Sequence, residues 1–184
     1  MSTRIGVVVF PGTNCEHDVV KAMSSLAGTE APAATVELVW HGERSLSHLD
    51  GVVLPGGFAH GDYLRPGAIA RFSNVTDALA RFAAEGGPVV GICNGFQVLT
   101  EAGLLPGALQ KNSGLRFVCK SVGLRVCSTR TVLTEPFRRD SAFVCRSTTS
   151  KAITPATGAP STAFAPRTVS SFATRRTRTD RWTT

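Results

Sequence analysis

Apolar residues along the chain fall into short β-branched runs, separated by longer segments in which they recur every three or four positions. The run RIGVVVF (4–10) is closed by Pro11-Gly12, and VELVW (36–40), GVVLPGG (51–57) and GPVVGIC (87–93) repeat the pattern. Continuous apolar runs of this length, bounded by turn residues, predict strands buried on both faces. Between them, Ile69, Phe72, Val75, Leu79 and Phe82 step by three or four and form one stripe. Pro66 suits a first turn and Gly86-Gly87 a stop, so the pattern predicts a helix over 66–85. Asn14 is the candidate cap of a helix over 15–26, and residues 95–104 continue as a helix after the fourth strand. Strands alternating with helices predict an α/β fold, a parallel sheet of right-handed βαβ units with helices on both faces. Ligands of such sheets sit beyond the carboxyl ends of the strands. The segments FPGTN, LPGGF and GICNG all fall on that edge.

Past residue 126 the patterning stops. Residues 127–184 contain one glycine, Gly158, against seventeen before them, and 21 of these 58 positions are Ser or Thr. Beyond SAFVC no apolar period is visible, and RRTRTDRW is simply basic. The expected organisation is therefore an α/β domain over 1–126, incomplete on its C-terminal side, and a basic Ser/Thr/Arg-rich tail over 127–184 that is disordered or read out of frame. Charge follows the same boundary. The formal charge is +7, yet residues 1–126 hold ten Lys/Arg and ten Asp/Glu, while 127–184 hold ten basic and three acidic residues. The tail's aromatic residues, Phe137, Phe143, Phe164, Phe172 and Trp182, are scattered rather than interleaved with its charges. No nucleic-acid partner is expected beyond weak, salt-sensitive binding. Apolar content of 42% is enough for a core. The stretch before Pro11 is too short for a signal-peptide core or a membrane span, so no membrane partner and a cytoplasmic location are expected. Five cysteines (15, 93, 119, 127 and 145), with no C-x-x-C pair, argue against a disulfide framework and a zinc site.

The chemistry concentrates in GICNGFQ. A Gly-x-Cys-x-Gly turn between a buried strand and a helix is a nucleophile elbow, whose glycines permit a tight turn while the side chain is lifted above the sheet. The positive end of the next helix favours negative charge on the sulfur of Cys93. The amide of Asn94 is placed to donate to an oxyanion, and in LPGGF the residues Gly56 and Gly57 can expose a backbone N–H without side-chain obstruction. Together the two loops outline acyl transfer through a thioester at Cys93.

The segments GVVVFPGTNCEHD, LPGGFAHGDYLRPGAIAR, GICNGFQVLTEAGLLPGAL and NSGLRF cover residues 4–126 almost without interruption. In that order they resemble the glutaminase subunits of phosphoribosylformylglycinamidine synthases, triad-type (class I) glutamine amidotransferases of purine biosynthesis. The resemblance implies a flavodoxin-like sheet and a Cys93 that attacks the carboxamide of glutamine, releasing ammonia. It implies a large synthetase partner, which uses ATP and magnesium on its own subunit to convert formylglycinamide ribonucleotide to the formylglycinamidine, and a third, small subunit. No cofactor is expected on this chain, which has no phosphate-binding Gly-rich loop with a lysine. Gly57 and Asn94 match oxyanion-hole positions of the family, and Gly56 and Gln97 match positions that line the glutamine pocket. Asn112 and Arg116 fit the motif without an assigned role.

The base is what the sequence fails to supply. The family takes the His and Glu of its triad from a PHPE-like segment well downstream of the cysteine, and no such segment follows Cys93 here. The four histidines (17, 41, 48 and 60) all precede Cys93. His60 reads as a loop residue and His41 and His48 as surface residues. His17, beside Glu16, belongs to a different loop, so no base role is expected of any of them. A reading frame shifted near residues 126–127 would explain both the lost motif and the changed texture. Residues 148–154, TTSKAIT, are encoded by ACN ACN TCN AAR GCN ATH ACN. Read from the third base of the first codon this becomes NAC NTC NAA RGC NAT HAC, which allows His-Val-Glu-Gly-Asp-Tyr, a form of the family's His-x-Glu-Gly-x-Tyr motif. The chain as written is then expected to leave the apolar surface of GLRFVCKSVGLRV partly unpaired, with a marginal or aggregation-prone fold. Three other readings remain open. One is an inactive scaffold that docks the synthetase through its FPGTN and GDYLR face, and another a cysteine hydrolase or stress protein with the same elbow. The last is a nucleic-acid binder acting through the tail.

Overall fold

The computed structural model describes residues 2–26, 34–112, 114–126, 129–131, 133–149, 151–154, 172–175 and 182–183. Two compact units emerge, one spanning residues 1–105 and the other built mainly from residues 106–161. The first unit holds β1 (Thr3–Val9), α1 (Glu16–Leu26), β2 (Ala34–Trp40), β3 (Gly51–Leu54), α2 (Asn74–Ala84), β4 (Val89–Gly91) and α3 (Asn94–Glu101). Its strands form a parallel sheet in the order β2-β1-β3-β4. The parallel α/β sheet expected from the apolar runs is thus the architecture found. Because β2 and β3 lie on opposite sides of β1, the chain reverses its direction of travel across the sheet between β1 and β3. Doubly wound sheets open their ligand crevice at such a switch point. Here the loops after β1 and β3 meet in an isolated bridge between Thr13 and Gly57.

Burial explains why the β-branched runs become strands. Val7, Val8, Val52, Leu54 and Val89 are all at most 1% exposed, and the α2 residues Val75, Leu79 and Phe82 and the α3 residues Val98 and Leu99 join them in the core. Covering both faces of β3 is what lets GVVL read as an unbroken apolar run. The helix expected over 66–85 is shorter. α2 starts at Asn74, after Ser73 in an extended conformation (ψ 147), and Ala70–Phe72 is a single 3₁₀ turn. Gly67 accounts for the difference. It sits at φ 79, and a Cβ there would lie 2.8 Å from the backbone of Val98, so this stretch packs against α3 as a loop. Phe72 is consequently 78% exposed although it continues the apolar stripe. At α1 the cap also moves by one residue. The carbonyl of Cys15 accepts from the N–H of Val19 (3.1 Å), while the N–H of Asn14 donates to the carbonyl of Gly56 (3.4 Å).

The second unit holds β5 (Ala108–Lys111), β6 (Val118–Val126), β7 (Ala142–Thr149), β8 (Lys151–Thr154), β9 (Phe172–Arg175) and β10 (Trp182–Thr183). One sheet runs β10-β9-β6-β7, and β5 pairs with β8. The structural division at 105/106 precedes the compositional boundary at 126 because the antiparallel partners of β5 and β6 come from residues 142–175. The backbone of β6 is paired with β7 from Val118 to Arg125, although Leu115 and Phe117 just before it are 78% and 65% exposed. The expected tail thus contributes these strands, and the rest of the call on 127–184 falls on residues 127–128, 132, 150, 155–171, 176–181 and 184, outside the described residues.

Candidate active site

Cys93 follows β4 and immediately precedes α3, with φ 50 and ψ −107. A positive φ is rare for a residue with a side chain and marks a turn that its surroundings hold in place. The surroundings are visible. The N–H of Ile92 donates to Leu54 (2.9 Å), and that of Gly95 to Pro55 (3.1 Å) and Ile92 (2.8 Å). The glycines on either side of the cysteine are needed for close approach. A Cβ at Gly91 would lie 2.7 Å from the backbone nitrogen of Phe96, and one at Gly95 would overlap the carbonyl of Leu54. The carbonyl of Cys93 accepts from the N–H of Gln97 (3.2 Å), so α3 begins directly on the nucleophile turn. Cys93 itself is exposed.

Gly57 lies at φ 147, and a Cβ there would sit 2.6 Å from the nitrogen of Asn14. Its own N–H and that of Asn94 have no hydrogen-bond acceptor among the described residues. They are therefore available donors, one on the loop after β3 and one at the start of α3. The side chain of Asn94 has a different task. It is 3% exposed, its Oδ1 accepts from the N–H of Ala59 (2.9 Å), and its Nδ2 donates to Asp62 (3.1 Å) and to Oε1 of Gln97 (3.0 Å). Asn94 thus fastens the loop after β3 to the start of α3, and orients Gln97 at the same time. The loop it fastens is unusual, since His60, Gly61 and Asp62 all have positive φ (52, 72 and 52). Further along, Arg65 pairs with Glu101 through Nε (2.8 Å) and Nη2 (2.7 Å), a two-pronged contact that anchors GDYLR to the last turn of α3.

Sequence reasoning missed Asp62 as the partner of Asn94, although GDYLR stood out as a motif. It also missed Cys15. A Cβ at Gly56 would lie 3.5 Å from the sulfur of Cys15 and 3.6 Å from Cβ of Cys93, so both cysteines border Gly56. Asn112 donates from Nδ2 to the carbonyl of Arg116 (3.0 Å), closing a turn in the second unit.

The histidines engage other groups. The ring of His17 is 4.0 Å from Glu16, and His48 is 2.8 Å from Glu37. His41 packs edge-on against His60, with ring centroids 5.5 Å apart, and against Trp40 at 4.6 Å. Burial, together with the neighbouring His41, holds the His60 imidazole below its ordinary value, and its Nε2 is buried with no hydrogen-bond partner among the described residues. Among the described residues no histidine is hydrogen-bonded to Cys93, and no group of three His, Cys, Asp or Glu is placed to hold a metal ion. None of the described helices is long and apolar enough to cross a membrane.

Comparison with known proteins places this geometry. Residues 2–163 match the model of the CobB/CobQ-like glutamine amidotransferase domain. The phosphoribosylformylglycinamidine synthase subunit PurQ of Salinibacter ruber is 55% identical over 134 residues, covering 73% of this chain and 55% of the relative. The PurQ subunit of Rubrobacter xylanophilus is 60% identical over 123 residues, 67% of this chain and 53% of the relative. The chain thus spans about half the length of the curated relatives it matches. Among solved structures, the PurLQS structure from Thermotoga maritima superposes with a TM-score of 0.75 at 35% identity, covering 85% of this chain and 71% of that one. The glutaminase domain of Trypanosoma brucei CTPS, solved with bound acivicin, shares the fold at a TM-score of 0.56 and 12% identity. A strained cysteine elbow on a β2-β1-β3-β4 parallel sheet, matched along residues 2–163, makes this chain a member of the CobB/CobQ-like glutamine amidotransferase family.

Proposed function

We propose that this chain is the glutaminase subunit of a phosphoribosylformylglycinamidine synthase, acting through Cys93. The observation that carries the reading is the Cys93 turn itself, raised at φ 50 at the head of α3 beside the loop holding Gly57. In the reaction the Cys93 thiolate attacks the carboxamide carbon of glutamine. Negative charge develops on the carboxamide oxygen and is accepted by the N–H groups of Gly57 and Asn94. The C–N bond then breaks, ammonia departs with a proton, and water cleaves the thioester to give glutamate. Gly56 and Gln97 line the glutamine site in this reading, with Gln97 held by Asn94. Ammonia passes to a synthetase subunit, which carries ATP and magnesium and makes formylglycinamidine ribonucleotide, with a third, small subunit in the complex and the cytoplasm as its location. The similarity to PurQ subunits and to the PurLQS structure supports this assignment.

The proton for the departing ammonia is the open step. No histidine follows Cys93 in the sequence, and those described are engaged elsewhere. That gap leaves a second reading to test, a scaffold that docks the synthetase without turning over glutamine, which the similarity to PurQ subunits does not favour. It also motivates the proposal that the triad His and Glu are encoded in another frame beyond residue 126. The nucleotide sequence decides the latter, and absence of a PHPE-like segment from every downstream frame would refute it. For Cys93 the direct test is acivicin, the ligand of the Trypanosoma brucei domain. Incubated with the full chain, it should form one adduct, mapped to Cys93 and lost in Cys93→Ala. Labelling elsewhere, or none, refutes the glutaminase reading. With synthetase added, glutamate release separates an active subunit from a scaffold that binds without turnover.

A further inference from the structure

We propose that Cys15 is a resolving thiol for Cys93, so that a hydroperoxide converts the pair into a disulfide that occupies the nucleophile. Its regulatory meaning rests on the glutaminase reading of Cys93; the disulfide itself does not. The two cysteines are far apart in sequence but meet at one backbone segment. The N–H of Cys15 donates to the carbonyl of Gly56 (3.2 Å), and Ile92 and Gly95, on either side of Cys93, donate to Leu54 (2.9 Å) and Pro55 (3.1 Å). Leu54–Gly56 therefore holds both cysteines, and Gly56, having no Cβ, places no side chain of its own between them. A methyl group at that point would touch the Cys15 sulfur at 3.5 Å and the Cys93 Cβ at 3.6 Å. Cys93 is exposed and half-buried Cys15 is anchored by its backbone, so closure of the pair falls to rotation about χ1 of Cys93. Each cysteine directly precedes a helix, α1 or α3.

The chemistry balances with a hydroperoxide as oxidant. The Cys93 thiolate attacks one peroxide oxygen, the O–O bond breaks, and hydroxide leaves as water once protonated. Cys93 is left as a sulfenic acid. The Cys15 thiolate then attacks the Cys93 sulfur, the S–O bond breaks, and a second water departs. Two thiols lose two electrons, and hydrogen peroxide becomes two waters. Without a resolving thiol the sulfenic acid goes on to sulfinic and sulfonic acids, of which the disulfide is the reversible alternative.

The test treats the full 184-residue chain with hydrogen peroxide, blocks remaining thiols by alkylation, and maps peptides from the monomer fraction without reduction. The expected product joins the Cys15 and Cys93 peptides and falls apart with dithiothreitol. In Cys15→Ser and Cys15→Ala the cross-link disappears and sulfinic and sulfonic acid at Cys93 rises several-fold. Equal over-oxidation of Cys93 in wild type and both variants overturns the proposal. So does a disulfide joining Cys93 preferentially to Cys119 or Cys145. An acivicin adduct on Cys93 without any Cys15–Cys93 cross-link sinks this inference and leaves the glutaminase reading standing. A cross-link without an adduct upholds the thiol pair and removes the glutaminase reading.

Discussion

Cys93 keeps a backbone conformation that costs a non-glycine residue roughly 1–3 kcal/mol, and its neighbours must supply that. They do so by touching. Gly95 lies so close to Leu54 that a single methyl group would meet the Leu54 carbonyl, which already borders the hydrogen bonds that hold the turn. Gly95→Ala is therefore expected to destabilise the fold by about 1–3 kcal/mol, the usual range for forcing atoms into a packed site. A urea midpoint equal to wild type would show that the elbow relaxes freely. The glycine spacing was legible in the sequence because its cause is local. The Asn94 side chain was not, since its partners Ala59 and Asp62 lie more than thirty residues upstream. His60 carries the pH dependence at this scale. The folded state keeps its imidazole neutral below the ordinary value, whereas the unfolded chain protonates near pH 6.5. Between those values the unfolded state binds more protons, so stability present above the unfolded value is lost as pH falls through the interval toward the folded one. Denaturant midpoints at about pH 7.5 and about pH 5.5 bracket the free imidazole value. Wild type should lose more stability between them than His60→Asn, which tolerates the left-handed backbone. Equal losses would place His60 in water.

Among the elements, the contrast between α2 and the segment before it shows what periodicity can reveal. Val75, Leu79 and Phe82 bury as the stripe predicts, and the helix they define ends one residue short of Glu85. Ile69 and Phe72 belong to the same arithmetic yet remain exposed at 39% and 78%. The period registers which positions could share a helical face, but not a tertiary contact that prevents a helix from starting. Gly67 makes that contact, against the backbone of Val98 on α3. The two descriptions predict opposite signs. Inside a helix, Gly67→Ala would stabilise by about 0.5–1 kcal/mol. At φ 79, with Val98 only 2.8 Å from the new Cβ, it should destabilise by more than about 1 kcal/mol. Thermal or urea unfolding of this one variant decides between them, and a stabilised protein would restore the longer helix. Arg65 and Glu101 reinforce the same junction, so exchange of the amides of residues 60–65 reports how firmly this loop is held.

At the scale of the molecule, apolar burial is unevenly spread. Every member of the main core cluster lies between Val8 and Leu105, in the unit whose parallel sheet the sequence predicts. Beyond Leu105, the buried residues among those described are Val126, Thr131 and Thr134, and two of these three are polar. The hydroxyls of Thr131 and Thr134 lie 2.7 Å apart, which satisfies them but adds little apolar area. With burial near 25 cal/mol per Å² as the main stabilising term, cooperativity should be concentrated in the first unit. The alternating strand and helix pattern was legible there because each element buries its own apolar run. In the second unit the described strands carry few buried apolar residues, so no local period announces pairings such as Leu124 with Thr174. Limited trypsin digestion tests the imbalance, since Lys111, Arg116 and Lys120 are all exposed just past the end of the first unit. The expected early product is a fragment that begins at the N-terminus and ends at Lys111 or Arg116, and that outlasts the rest of the chain. First cuts at Arg44, Arg71 or Arg81 would mean that the core around β1 and β3 opens as readily as the strands that follow it. Loss of the whole chain with no intermediate would mean that both units unfold as one, and that burial past Leu105 counts for more than these three residues indicate.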